Sequence, residues 1–300
     1  MKVLIIGSQG FIGSNLLEHY RATNAFDVYH CDVLQLKNDD TYFHINSENP
    51  NFESIFKNNQ FDVCINASGI GNVSMSLINP LNDFILNTYN VIKILESIRI
   101  YNSNCKFLNI SSAAVYGSPN KLPIAENHNL NPLSPYGHHK LISEQICQEY
   151  YTLFNIQTCN LRVFSAYGNG LKKQLFWDTY QKLKSEDAVI EFFGTGMETR
   201  DFIHIDDLIQ AINLVIINGK FNSDYINVAS GIESSIKDVT NQFLDFFSLK
   251  KKIVFNNQVK KGDPLNWKAD ISYLISLGFT QKISISEGLL KYSKWLQEKK

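Results

Sequence analysis

The chain has 300 residues, 44% of them hydrophobic, and a formal net charge of −1. With no basic block longer than Lys250-Lys251-Lys252, that balance argues against a nucleic-acid-binding surface. No stretch approaches the ~20 apolar residues of a membrane span. The five cysteines form no C-x-x-C pair, so they are expected as reduced core residues of a cytoplasmic protein with no metal site.

The chain opens on the apolar run Lys2–Ile6, which reads as a buried strand. A glycine turn follows, Gly7-Ser8-Gln9-Gly10-Phe11-Ile12-Gly13. Its glycines permit a tight turn beside a pyrophosphate, and the helix beyond aims free N–H groups and its positive end at that anion. Gly7, Gly10, Phe11, Ile12 and Gly13 are therefore expected to bind a dinucleotide. Asp32 ends the next apolar strand, 19 positions after Gly13. A carboxylate there accepts both adenosine ribose hydroxyls and repels a 2′-phosphate, which favours NAD over NADP.

Further strand-like runs fall at 42–45, 63–66, 107–111 and 158–162, with helical patterns over 80–100 and 135–154. This alternation predicts an α/β fold, a Rossmann-type doubly wound parallel sheet. Residues 1–165 are expected to form the NAD-binding domain. Residues 166–300 are expected mainly as a smaller substrate lobe, with part of 201–230 returning to the first domain. Ala67, Ser68 and Gly69 follow the fourth strand and are expected to let the backbone approach the cofactor. Ser111-Ser112 and Phe164-Ser165 also fall at carboxyl ends of strands, where ligands of such sheets bind.

Tyr136 and Lys140 stand four residues apart in Ser134-Pro135-Tyr136-Gly137-His138-His139-Lys140, on one face of a helix. A neighbouring cation stabilises a phenolate, and lowering the phenol by about three pKa units needs roughly 4 kcal/mol, within reach of a lysine plus a pyridinium ring. The spacing thus predicts a tyrosine base of depressed pKa that acts on a sugar-type hydroxyl.

Together these features resemble the extended short-chain dehydrogenase/reductase family, and within it the nucleotide-sugar epimerases and dehydratases. The resemblance spans nearly the whole chain. It rests on the N-terminal glycines, Ser111-Ser112-Ala113-Ala114-Val115-Tyr116-Gly117 and the Tyr136/Lys140 pair. It continues through Arg200-Asp201-Phe202-Ile203-His204-Ile205-Asp206-Asp207 and Lys261-Gly262-Asp263-Pro264. It implies that Ser112 is catalytic with Tyr136 and Lys140, and that Lys140 also holds the nicotinamide ribose. It further implies that Asn87 lies near that lysine and that Phe164 approaches the nicotinamide.

For the substrate, the resemblance implies Arg200 on the nucleotide diphosphate and Phe193 on the base. Ser165 stands where many relatives carry Asn, and Lys260 where sugar epimerases carry a second phosphate-binding Arg. Dehydratases of this family carry an Asp-Glu pair where this chain has Ala113 and Ala114. Without an ionisable acid and base there, elimination of water lacks its catalysts. The expected activity is an NAD-dependent nucleotide-sugar 4-epimerase serving polysaccharide biosynthesis. A 4-keto-6-deoxysugar reductase using NAD(P)H is the alternative, and a dinucleotide-sensing module lacks a reason to keep the Ser–Tyr–Lys set. The resemblance also implies a homodimer through a four-helix bundle.

Overall fold

The structure, a computed structural model, describes residues 1–36, 38–187, 189–248, 251–258 and 262–298. Six strands appear in the first half of the chain: β1 (Lys2–Ile6), β2 (Asp27–Asp32), β3 (Tyr42–His44), β4 (Val63–Asn66), β5 (Lys106–Ser112) and β6 (Thr158–Val163). Six follow: β7 (Ser165–Tyr167), β8 (Val189–Phe192), β9 (Thr199–His204), β10 (Asn222–Val228), β11 (Glu233–Ser235) and β12 (Lys252–Phe255). The large sheet has the order β10-β6-β5-β4-β1-β2-β3, and all of its pairs are parallel. Strand order reverses between β1 and β4, the place where a crevice opens beyond the strand ends.

The strands of this sheet are near-continuous apolar runs because both faces are covered. One face packs Val3, Ile5, Leu108 and Leu161 under the Phe11–Thr23 and Ile205–Asn218 helices. The other packs Leu4, Ile6, Cys64 and Phe107 against Ile94, Leu95 and Cys147 of the long helices. All five cysteines are free and buried. β10 closes the sheet from late in the chain, joined to β6 with a register shift between Asn222 and Asp224.

A smaller unit carries β7, β9 and β11 in one sheet and β8 with β12 in another. Its core gathers Tyr167, Phe176, Phe202, Phe243, Leu289 and Tyr292. Among the described residues no helix is long and apolar enough to cross a membrane.

The helical pattern expected over 80–100 is one continuous run in three parts. Pro80–Phe84 is α-helical, Ile85–Tyr89 is a widened π-type turn, and Asn90–Tyr101 is α-helical again. Such a turn within a helix commonly marks a functional site. Here it carries Asn87.

Candidate active site

The glycine turn is built for close backbone approach. Gly7 adopts φ +82°, and a Cβ on it would lie 2.7 Å from the Ser68 backbone. A Cβ on Gly13 would lie 2.1 Å from the Gly7 carbonyl oxygen, so the Phe11–Thr23 helix begins directly on the turn. Gly10 caps that helix with no side-chain hydrogen bond, which leaves its first N–H groups available to an anion. Asp32 lies at the end of β2, where its Oδ2 accepts the Gln9 N–H at 2.8 Å and its Oδ1 the Val33 N–H at 2.7 Å. Each oxygen keeps a free lone pair for a ribose hydroxyl. Glycines that no Cβ could replace, an uncapped helix start and an acceptor at the second strand's end together fit NAD.

A buried relay beneath this turn escaped the sequence reading. His30 has no exposed surface; its Nδ1 lies 3.0 Å from Ser8 Oγ and its Nε2 2.9 Å from Asp39 Oδ2. Burial lowers the His30 pKa, and the Asp39 hydrogen bond opposes that. The relay fixes the turn from below.

Across the crevice, the loop after β4 carries Ala67, Ser68 and Gly69. Ser68 Oγ donates to Asn66 Oδ1 at 2.6 Å, and Asn66 Nδ2 donates to Asn109 Oδ1 at 3.1 Å. Asn109 Nδ2 in turn donates to Asn160 Oδ1 at 3.0 Å, so an asparagine ladder across β4, β5 and β6 holds this loop. Asn87 is buried rather than exposed, and its Nδ2 donates to the Ile70 carbonyl at 3.2 Å. A Cβ on Gly69 would stand 2.4 Å from Asn87 Oδ1, which explains glycine at that position.

Ser134 caps the Pro135–Phe154 helix by accepting the Gly137 N–H at 3.2 Å, with Pro135 in the first turn. A Cβ on Gly137 would meet the Ala114 carbonyl oxygen at 2.7 Å, so the helix start rests on the short 3₁₀ turn Ala113–Val115 after β5. This close contact brings Ser112, the last residue of β5, to the Tyr136 phenol, and its hydroxyl favours the phenolate there. Ser112 Oγ also accepts the Ala114 N–H at 3.2 Å. Its neighbour Ser111 points to the opposite face and donates to Glu144 Oε1 at 2.6 Å.

The protein by itself shifts the Tyr136 phenol upward. Burial pushes the phenol up to about 12, and the Ser112 hydrogen bond, which favours the phenolate, offsets only part of that. The Lys140 ammonium is buried and donates to the Ile110 carbonyl at 2.8 Å. Burial pulls it down to about 8, with the Asp83 carboxylate opposing. Spacing alone placed tyrosine and lysine on one face but carried no desolvation cost.

Other expected site residues are more dispersed. Phe164 is buried against Tyr116 and Trp267, with centroids 6.3 and 5.7 Å away. Arg200 donates to the Thr199 and Leu265 carbonyls at 2.8 and 3.1 Å and lies 5.5 Å from the centroid of the Trp267 ring. Burial lowers its pKa. Ser165 opens β7, half-buried, and Phe193 is exposed at the end of β8. Lys260, and Lys261 of the last motif, lie outside the described residues.

Lys173 was not anticipated. A Cβ on Gly71 would have Lys173 Nζ at 3.5 Å and Tyr136 Oη at 3.7 Å as neighbours, so the lysine and the phenol border the same space beside Gly71. Only the tertiary approach of two segments 102 positions apart identifies it.

Comparison with known proteins agrees with this geometry. Residues 3–229 match the NAD dependent epimerase/dehydratase family. A putative UDP-glucose 4-epimerase of Methanocaldococcus jannaschii is 30% identical over 98% of each chain. The CDP-paratose 2-epimerase of Salmonella typhi is 25% identical, covering 98% of this chain and 99% of its own. Among solved structures, a mutant UDP-glucuronic acid 4-epimerase from Bacillus cereus, in complex with UDP-4-deoxy-4-fluoro-glucuronic acid and NAD, is 26% identical. It superposes with a TM-score of 0.89 over 100% of both chains. The glycine turn, the Ser112–Tyr136 pair and the buried Lys140 thus sit in an enzyme that uses NAD and belongs to the NAD dependent epimerase/dehydratase family.

Proposed function

We propose that the protein is a nucleotide-sugar 4-epimerase. The observation that carries this reading is the approach of the Ser112 hydroxyl to the Tyr136 phenol at the crevice, beside Ala113 and Ala114, which offer no acid or base for elimination. Gly7, Gly10, Phe11, Ile12, Gly13, Asp32 and the Ala67–Gly69 loop hold NAD, which when bound supplies reversible hydride exchange at C4. Tyr136 takes the proton of the C4 hydroxyl and later returns it. Ser112 steadies the same oxygen while charge builds on it. Lys140 orients the nicotinamide ribose and stabilises the phenolate. Arg200 and Lys260 meet the diphosphate, Phe193 the base, and Ser165 the sugar. Residues 1–165 with the returning part of 201–230 form the cofactor domain, and the remainder the substrate lobe.

The test is incubation of UDP-glucose or UDP-glucuronic acid with the enzyme and substoichiometric NAD, followed by mass spectrometry and proton NMR. The expected product has the substrate mass, an inverted C4 and no net coenzyme use. Loss of one water, or stoichiometric NAD(P)H oxidation with a 4-keto sugar, overturns the reading in favour of a dehydratase or a reductase. Tyr136→Phe is expected to lower turnover by about 10²–10⁴-fold, the usual worth of a positioned acid–base group.

A further inference from the structure

A carboxylate is buried in the seam between the catalytic helix and the 80–101 run. Asp83 stands in the last turn of Pro80–Phe84, directly before the π-type turn, and is 3% exposed. Its Oδ2 accepts the His139 Nδ1 hydrogen at 2.6 Å. A carboxylate only accepts, so Nδ1 carries that hydrogen whatever the charge of the ring. The other oxygen, Oδ1, is buried with no hydrogen bond among the described residues.

The pair is held in place from both helices. Thr88 Oγ1, within the π-type turn, donates to the His139 carbonyl at 2.9 Å. The His139 ring stands edge-on to Phe84, with centroids 5.4 Å apart. His139 directly precedes Lys140 in the Pro135–Phe154 helix, so the carboxylate is clamped one residue from the catalytic lysine. Lys140 is 5% exposed, and its ammonium uses one of its three hydrogens, on the Ile110 carbonyl.

Neither charge is stable alone in such surroundings. The charged and titratable groups that act on Lys140 are Asp83 of the facing run, Glu144 and Cys147 of its own helix, and Lys173 of the second unit. Glu144 is committed to Arg162 at 2.7 Å. Burial pushes the Cys147 thiol up, so it stays uncharged, and Lys173 is itself a cation. Asp83 remains as the counter-ion. We propose that Asp83, clamped by His139, is a positioning residue that keeps Lys140 charged inside the site. Burial pulls Lys140 down to about 8, and Asp83 leads the charges that oppose the fall. The same carboxylate disfavours the Tyr136 phenolate, but there it ranks after burial and Ser112. This rests on the role of Lys140 in the epimerase reading and deepens it.

The experiment titrates Lys140 directly, by NMR of the NAD-loaded enzyme with isotope-labelled lysine, the signal being assigned by its loss in Lys140→Met. Asp83→Asn keeps an oxygen for His139 and removes the charge. It is expected to lower the Lys140 midpoint by about one pH unit or more, and to move the alkaline limb of kcat/KM down with it. Asp83→Ser reads the same loss of charge should the amide pack badly. Asp83→Glu and His139→Gln, which keep the carboxylate charge, should leave the midpoint near the wild-type value. An unmoved midpoint in the neutral variants, with kcat/KM falling by one factor at every pH, overturns the proposal and leaves Asp83 a structural clamp. A midpoint that moves as far in His139→Gln as in Asp83→Asn also overturns it, in favour of the imidazole. If the midpoint falls as expected but even the wild type inverts C4 of neither UDP-glucose nor UDP-glucuronic acid, the epimerase reading fails while the assignment of Asp83 stands.

Discussion

Burial raises the Tyr136 phenol to about 12, so its use as a base near neutral pH depends on cations reaching it. Lys140 is the nearest such group in sequence, and burial already holds its own pKa at about 8. The sign follows directly. Below that value Lys140 carries the charge that favours the phenolate, and above it the charge is lost. We expect kcat/KM to fall as pH rises through about 8, and Lys140→Met to lack that alkaline limb while also weakening NAD. A wild-type profile flat to pH 10 would place the functional charge elsewhere. At this scale the sequence held the identity of the reactive groups, because helix geometry puts residues four apart together. It held nothing of the desolvation that raises the tyrosine's pKa.

The catalytic helix is pinned by a buried ion pair. Glu144 lies one turn beyond Lys140 in the Pro135–Phe154 helix, and its Oε2 accepts Arg162 Nη2 of β6 at 2.7 Å, with both side chains at most 2% exposed. Arg162 also donates to the Tyr116 hydroxyl at 2.9 Å and the Glu126 carbonyl at 2.8 Å, and Tyr116 donates to Asn227 Oδ1 of β10 at 2.7 Å. One network thus ties the helix to β5, β6 and β10. Removing one partner strands the other charge in the interior. Glu144→Ala should therefore cost about 3–5 kcal/mol, read from the urea midpoint at unchanged m-value. A loss under about 1 kcal/mol would mean that water reaches Arg162. None of this network was legible beforehand, since Glu144 and Arg162 look like ordinary surface charges until β6 and the helix pack. The π-type turn at Ile85–Tyr89 was hidden for a related reason: hydrophobic periodicity over 80–100 does not register one extra residue in a turn.

At the scale of the molecule, apolar surface gathers on the long helices. Leu81 is 69% exposed and Leu153 65%, with Tyr89, Ile100 and Phe154 also exposed. Exposed apolar side chains clustered on neighbouring helices favour a partner surface. We therefore propose a two-fold dimer in which the 80–101 and 135–154 helices of each copy form a four-helix bundle. Light scattering at micromolar concentration should give twice the chain mass, and Leu81→Asp combined with Leu153→Asp should halve it. A wild-type monomer would refute the dimer.

The chain's order of strands and helices, its glycine turn and its Ser–Tyr–Lys set were determined by the sequence alone. Each is a local matter, set by periodicity, by backbone freedom at glycine or by helical spacing. Tertiary packing alone decided that Asn87 turns inward onto Ile70, that an asparagine ladder holds the Ser68 loop, and that His30 braces the glycine turn. It also decided that Lys173 and Tyr136 both come up to Gly71. These contacts join segments far apart in the chain, and burial, a property of the whole fold, sets the electrostatics they produce.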